Sequence, residues 1–245
     1  MSNAPSNDAL SELRAALETL ARASEVRVFG VADLDGVVKS VPTLFDRVGS
    51  SFRRAIVMGI PVNPAALEQI VDRPTPAYFH AYRQLNYQLD TVALVVASRL
   101  LDEGHRCLAI AASQVINHSP PQGHISSRHL GLAAGIGWLG RSGLLVTPRY
   151  GARVRLVVVL TDALLPAGRP MQFSCGRCLA CVKVCPARAI TTRPDDFNLD
   201  ACYAKLTEFT KIPYVGQHIC GVCVKACAPD NPGRAVDVHG NPVEA

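Results

Sequence analysis

Hydrophobic and polar positions fall along this chain in blocks that predict most of its elements. Leu10, Leu13, Leu17 and Leu20 recur at helical spacing, and Asn7 stands ahead of them as a cap, so a first helix is expected there. Residues 26–31 and 56–62 are short apolar runs that read as strands, the second ended by Pro61 and Pro64. Thr75-Pro76 places a capping hydroxyl before a proline at the first helical position. The helical pattern then continues to about Glu103, where Gly104 supplies a stop. Residues 107–112 read as a buried strand, 113–123 as a loop carrying Pro120 and Pro121, and 126–134 as a short helix. Residues 154–161 are rich in valine and apolar throughout 156–160, the pattern of a central strand. Helices and strands alternating in this way predict an α/β or α+β layered domain.

The chain has 245 residues, 49% of them hydrophobic and 18% charged, which suits a folded domain plus a small module and excludes disorder. The longest apolar run, 91–101, is broken by Ser98 and Arg99 and is too short to span a bilayer. The first eight residues hold neither a basic stretch before an apolar core nor a twin arginine, so a cytoplasmic location is expected. Nine cysteines in a reducing compartment point to metal ligation or catalysis rather than to disulfides. The formal charge of +5 counts every cysteine as neutral. Four thiolates around a roughly +2 iron–sulfur core leave about −2 per site, so two such sites nearly cancel it. The basic residues are scattered rather than clustered, and no nucleic-acid partner is expected.

Eight of the nine cysteines follow Pro166-Ala167-Gly168, which marks a boundary between a domain over 1–166 and a ferredoxin-like domain over 167–245 with a polar tail. The first group is Cys175-x2-Cys178-x2-Cys181-x3-Cys185-Pro186, the spacing of the bacterial ferredoxin run. The second is Cys202, then Cys220-x2-Cys223-x3-Cys227, with its first member displaced by an insertion and Ala228 before Pro229. In such pairs the fourth cysteine of each run crosses to the other cluster. Cys175, Cys178, Cys181 and Cys227 are therefore expected to hold one [4Fe–4S] cluster, and Cys202, Cys220, Cys223 and Cys185 the other. Structural zinc and unligated core thiols are the alternatives. Cys107 stands alone in an apolar stretch and reads as core.

Gly135-Ile136-Gly137-Trp138-Leu139-Gly140 satisfies G-x-G-x-x-G, with Asp162 about twenty residues on. A dinucleotide fingerprint needs a strand before it and a helix after it. Here the order is helix, then strand, and dinucleotide binding is rejected. What remains is a close turn, required either by packing or by a flat, bulky ligand.

Ala134 to Arg141, the later Thr161-Asp162 and the double cysteine motif together resemble the epoxyqueuosine reductase family and, more distantly, the corrinoid-dependent reductive dehalogenases. The resemblance covers roughly 107–227. It implies a nitroreductase-like α/β domain that holds a base-off cobalamin beside the proximal cluster, with electrons passing through both clusters to cobalt. It would set Gly135, Gly137, Trp138, Gly140, Arg141 and Ser142 against the corrin. A histidine-donating D-x-H-x-x-G motif is absent, and Asp237-x-His239-Gly240 is only a near miss. The family's acidic residue ahead of the glycine segment has no counterpart in 117–124, and only eighteen residues follow Cys227, where that family has tRNA-associated repeats. Epoxyqueuosine on tRNA is therefore not the expected substrate.

A cobalt-dependent reduction needs a proton source, and His124 lies where the family places its acid, with Tyr82 as a second candidate. His118, His129 and His80 are further histidines nearby in sequence, and capping, surface or core roles compete for all of these residues. The leading expectation is a cobalamin-dependent reductase of a small molecule, fed by a low-potential donor such as ferredoxin or flavodoxin. The alternative is an electron-transfer or reactivation protein that reduces a partner's corrinoid. A flavin enzyme is a third reading, by fold analogy alone.

Overall fold

The computed structural model describes residues 6–35, 37, 51–118 and 121–231, with His118 and Pro121 described by backbone only. Pro120 of the predicted loop, the Asp237-x-His239-Gly240 near miss and the polar tail lie outside these residues. The chain forms two compact units, the first made of Met1–Ile60, Asn86–Ile136 and Arg155–Pro170. The second gathers Pro61–Leu85, Gly137–Val154 and Met171–Ala245, so it takes in two stretches that precede the boundary drawn on composition.

In the first unit, α1 (Asn7–Ala23) starts one residue earlier than the pattern suggests: Ser6, not Asn7, is the cap, and its side chain accepts the Ala9 N–H at 3.2 Å. Leu10, Leu13 and Leu17 are buried as expected, but Ala21 rather than Leu20 closes the stripe. Spacings of three, four and four stay on one face of a straight helix, whereas three, four and three rotate away from it.

The sheet has four strands in the order β1-β2-β8-β3. β1 (Val28–Asp33) and β2 (Arg54–Pro61) pair antiparallel, with Val31 opposite Ile56. β8 (Val154–Thr161) occupies an interior place, as its apolar run over 156–160 predicts, and its last five residues are buried. β3 (Cys107–Ile110) pairs antiparallel with β8 at the edge. The expectation of a buried strand over 107–112 is corrected here. The strand stops at Ile110, Leu108 is 36% exposed, and Cys107 is half-buried rather than a core residue. An edge strand has a neighbour on one side only, which leaves its side chains partly uncovered. The Cys107 thiol donates to the Ala97 carbonyl at 3.2 Å, and burial, then the Asp162 carboxylate, pushes its pKa up.

The long helix expected after Thr75 is present, and it follows a short helix, α2 (Pro64–Glu68), which has Asn63 as its cap. The long helix, α3 (Pro76–Asp102), begins with Thr75 Oγ1 accepting the Tyr78 N–H at 3.2 Å. It ends where Gly104 adopts a φ of 80° and donates to Leu101, with His105 donating to Leu100. The 113–123 loop contains a short antiparallel ladder of β4 (Asn117–His118) and β5 (Pro121–Gln122). Next comes α4 (Ser127–Ala133), followed by the glycine turn and a second ladder of β6 (Trp138–Leu139) with β7 (Leu145–Val146). Helix first and strand second is the order on which dinucleotide binding was rejected. No helix among the described residues is long and apolar enough to cross a membrane.

The second unit has its own apolar cluster, in which Val62, Leu67, Ile70, Tyr78 and Phe79 pack with Val215, Ile219 and Val222. Three short helices carry its cysteine stretches: α5 (Ala180–Val184), α6 (Leu199–Phe209) and α7 (Val222–Ala226).

Leu160 lies on interior strand β8 and is 0% exposed. Leu160→Ala should destabilise the protein by about 2–5 kcal/mol through lost burial and a residual cavity, read as a lower midpoint in thermal or urea unfolding.

Candidate metal centre

The cysteines are positioned by tight turns leading into short helices. Cys178 N–H donates to the Cys175 carbonyl at 3.0 Å, with Gly176 between them at a φ of 51°, so the first two thiols share one turn. Cys181 lies on α5, and Cys185 ends that helix, its sulfur accepting the Ala189 N–H at 3.4 Å. Cys202 lies on α6, which Asn198 caps through the Ala201 N–H at 2.9 Å. Cys220 precedes Gly221, whose φ of 83° turns the chain into α7, where Cys223 lies and which Cys227 ends. A β-carbon on Gly221 would meet the Tyr78 ring at 2.6 Å and Ile70 at 2.7 Å, which is why glycine is required at this turn. α5 packs against α7, so cysteines of both groups are drawn together.

All nine cysteines are free and half-buried. Their mutual electrostatic influence sorts them. Burial pushes the Cys181 thiol up to about 11, followed by the effects of Cys227, Cys175 and Cys178. Burial raises Cys202, with Cys185 next. Cys220 is pushed up to about 11 by burial, with Cys202 and Cys185 adding to it. Cys223 lies well above the ordinary range, through burial and then Cys220, Cys202, Cys181 and Cys185. Cys227 is thus gathered with the first group and Cys185 with the second, and Cys181, which feels the first group, also raises Cys223 of the second. No group of three or more His, Cys, Asp or Glu among the described residues is arranged to hold a single metal ion. As a donor set, eight thiols in two groups of four fit two [4Fe–4S] clusters, whose ligands are thiolates.

The glycine turn is taken up by the protein's own packing. Gly135, in the first unit, has a φ of 70°, and a β-carbon there would lie 2.2 Å from the Arg169 carbonyl oxygen. In the second unit, a β-carbon on Gly137 would meet the Val146 carbonyl oxygen at 2.3 Å, and one on Gly140 would meet Val146 Cγ2 at 2.6 Å. Trp138 is 1% exposed and sits edge-on to Phe173, and Ser142 is also buried. Arg141 donates through Nε to the Thr192 carbonyl at 2.8 Å and through its terminal nitrogen to that of Gly176 at 2.9 Å. Four of the six residues that the resemblance sets against a corrin, Gly137, Trp138, Gly140 and Ser142, are buried. They do not present a corrin-lining face.

His124 is a half-buried residue of the first unit, between β5 and α4. Tyr82, in the second unit, is half-buried against the apolar cluster, its ring 6.4 Å from that of Tyr78. His129 meets Ser126 Oγ through Nδ1 at 2.6 Å, and burial, then the Arg128 charge, lowers its pKa. His80 is exposed.

Other residues of this site carry no motif. Lys225 donates to the carbonyls of Glu68 at 2.8 Å and Ile70 at 2.6 Å, and Arg153 donates to the carbonyl of Lys225. Tyr203, beside Cys202, stacks on His218 at 4.8 Å. Since these contacts involve backbone carbonyls and ring faces, spacing alone gave no signal for them.

No family model matches the chain. It is 32% identical to an epoxyqueuosine reductase of Bacillus cereus over 128 residues, covering 49% of this chain and 33% of that protein. It is 35% identical to a tetrachloroethene reductive dehalogenase of Desulfitobacterium hafniense over 98 residues, covering 38% of this chain and 18% of that one. In each case the match spans a third or less of the curated relative. Among solved structures, a selenomethionine-labelled epoxyqueuosine reductase superposes with a TM-score of 0.60 at 19% identity, covering 94% of this chain and 68% of that one. A reductive dehalogenase whose structure suggests a mechanism for B12-dependent dehalogenation superposes with a TM-score of 0.61 at 17% identity, covering 78% and 27%.

Over part of its length the chain is thus similar in sequence to epoxyqueuosine reductases and to a reductive dehalogenase. Its structure is mixed helix and strand, with the folds of both types as neighbours.

The raised thiols give the cluster-free protein a definite pH dependence. An unfolded chain releases thiol protons near the ordinary value of 9.0, whereas folded Cys181 and Cys220 hold theirs to about 11. The folded state therefore binds more protons in that window, and its stability is fully present below pH 9 and falls as pH rises toward 11. Unfolding midpoints of the cluster-free protein should be lower at pH 10 than at pH 8. The decline should shrink in Cys181→Ser and Cys220→Ser; an equal decline in those variants would show that other groups cause it.

Proposed function

We propose that this protein is an iron–sulfur oxidoreductase in which two [4Fe–4S] clusters deliver low-potential electrons to a base-off corrinoid acting on a small molecule. The observation that carries this reading is the gathering of eight thiols into two groups of four, each drawing a member from the other's run. We place one cluster on Cys175, Cys178, Cys181 and Cys227 and the other on Cys202, Cys220, Cys223 and Cys185. The architecture would be a nitroreductase-like domain over 1–166 and a ferredoxin-like domain over 167–245. Support for the corrinoid comes from the relatives, one of them a tetrachloroethene reductive dehalogenase and another described as B12-dependent. The buried glycine-turn residues do not fit a corrin lining, so no step is routed through them.

Several features of the chain itself suit the task. Apolar burial of Cys181, Cys220 and Cys223 excludes water from bound sulfur and favours a cluster of low net charge. Cys181 feels thiols of its own group and also raises Cys223 of the other, which suits electron passage between two adjoining sites. His124 is proposed as the proton donor to the substrate, with Tyr82 as second candidate. The electron donor would be a ferredoxin or flavodoxin, the location cytoplasmic, and neither nucleic acid nor membrane a partner. The segment 117–124 carries no carboxylate, which argues for a substrate other than epoxyqueuosine on tRNA.

A second reading is favoured by the burial of Gly137, Trp138, Gly140 and Ser142. On it, the clusters reduce a corrinoid held by a partner, and the chain has no organic substrate of its own.

Anaerobic purification followed by cobalamin titration, monitored by optical and EPR spectroscopy, tests both readings. About eight irons per chain are expected. Retained base-off cobalamin favours the reductase, and clusters without corrin affinity favour the partner-reducing protein. Zinc in place of iron would overturn both. Cys227→Ala should remove the cluster of Cys175, Cys178 and Cys181, leaving about four irons on the set that includes its sequence neighbours Cys220 and Cys223.

His124→Ala should lower chloride release from tetrachloroethene, driven by reduced methyl viologen, by about 10²–10⁴-fold at unchanged iron content. Wild-type rates in that variant would remove His124 from the chemistry.

A further inference from the structure

Gly137, Trp138, Gly140 and Ser142 do not present a corrin-lining face, yet a different partner for this stretch lies within its own unit. Gly137–Val154 contains the β6–β7 ladder and a tight turn in which Thr147 and Gly151 exchange backbone hydrogen bonds at 2.8 and 3.0 Å. Thr147 Oγ1, itself buried, donates to the same Gly151 carbonyl at 3.1 Å and accepts the Tyr150 N–H at 3.2 Å.

One end of this hairpin bears on Cys175. A β-carbon on Gly140 would lie 3.5 Å from the Cys175 sulfur, and Arg141 holds the Gly176 carbonyl inside the Cys175–Cys178 turn. The other end bears on Cys227. Gly151, at a φ of 60°, has its β-carbon position 2.0 Å from the Cys227 carbonyl oxygen and 3.5 Å from its sulfur. Arg153 donates to the Lys225 carbonyl, two residues before Cys227. Between the two ends, Trp138, Val146 and Ala152 form a buried cluster against which both Cys175 and Cys227 pack.

Cys175 and Cys227 are the first and last cysteines of the double motif, and the crossing rule assigns them to one cluster. We infer that the hairpin Gly137–Val154 is the scaffold that holds Cys175 and Cys227 together for a shared cluster, with Arg141 and Arg153 as positioning residues that clamp the two cysteine turns. The recognised group is an iron–sulfur cubane on Cys175, Cys178, Cys181 and Cys227, and the inference rests on the two-cluster reading above. Each guanidinium makes a charge-assisted hydrogen bond to a carbonyl, stronger than a neutral one and oriented by the planar fork.

The test uses the full chain with Arg141→Ala and Arg153→Ala combined, and Lys183→Ala, an exposed cation in the same cysteine run, as control. After anaerobic reconstitution the double variant should hold about four irons against about eight in wild type and in the control. Its EPR spectrum should match that of Cys175→Ala and differ from that of Cys202→Ala. Arginine-to-lysine versions should recover only part of the iron, because a lysine offers no planar fork.

A second readout needs no metal. In cluster-free protein, alkylation mapped by mass spectrometry should be about tenfold faster at Cys175 and Cys227 in the double variant and unchanged at Cys202 and Cys220. Eight irons with the wild-type spectrum, loss of both clusters together, or uniform alkylation rates would each overturn the scaffold. Wild-type protein without iron would overturn the two-cluster reading instead, and the alkylation pattern would still decide the scaffold.

Discussion

Thiolates repel one another and resist burial, and both costs apply at Cys181, Cys202, Cys220 and Cys223 of this chain. Burial is the largest cause of the raised pKa at Cys181, Cys202, Cys220 and Cys223, and neighbouring sulfur is a further cause at each. Left to itself, such a cluster of side chains would spread apart or stay protonated. A polycationic core that accepts four thiolates at once removes both penalties. Much of the second unit can be understood as the means of keeping these sulfurs close before such a core arrives.

The means are mostly main-chain. Short turns and helix ends aim the cysteines, and long cationic side chains tie those turns to other parts of the unit. Lys225 reaches two carbonyls of the Glu68–Ile70 segment, while Arg141 and Arg153 each take a carbonyl within a cysteine turn. Hydrogen bonds from a charged donor resist the loosening that sulfur repulsion would cause. Glycines at 140, 151 and 221 let backbone and side chain approach at distances that a β-carbon would block.

The legible parts of the sequence were those with a fixed period or ligand spacing. β8 and α3 followed from the apolar run over 156–160 and a Thr-Pro start, both local signals that the tertiary structure had no reason to override. The cysteine steps stood out because they match the spacing of the bacterial ferredoxin run. Less visible was anything that depends on a partner far along the chain. Gly137 and Gly140 looked like a ligand cradle because a glycine records only that space is short, not what fills it; here the filler is Val146. Arg141 looked like a ligand contact for the same reason, since a carbonyl acceptor has no sequence signature. Cys107 was misread because an apolar strand looks the same at the middle and at the edge of a sheet. Whether a strand has one neighbour or two is a property of topology, not of composition.

The proposed sharing of one four-sulfur set by the first and last cysteines of the double motif has a consequence for biosynthesis. A ribosome releases Gly151 and Cys175 well before Cys227. During that interval the nascent chain offers three of that set's four sulfurs. Iron delivery that ran alongside translation would meet an incomplete, solvent-open nest, so loading suits a carrier that waits for the finished polypeptide. The order of amino acids thereby acts as a timer on metallation.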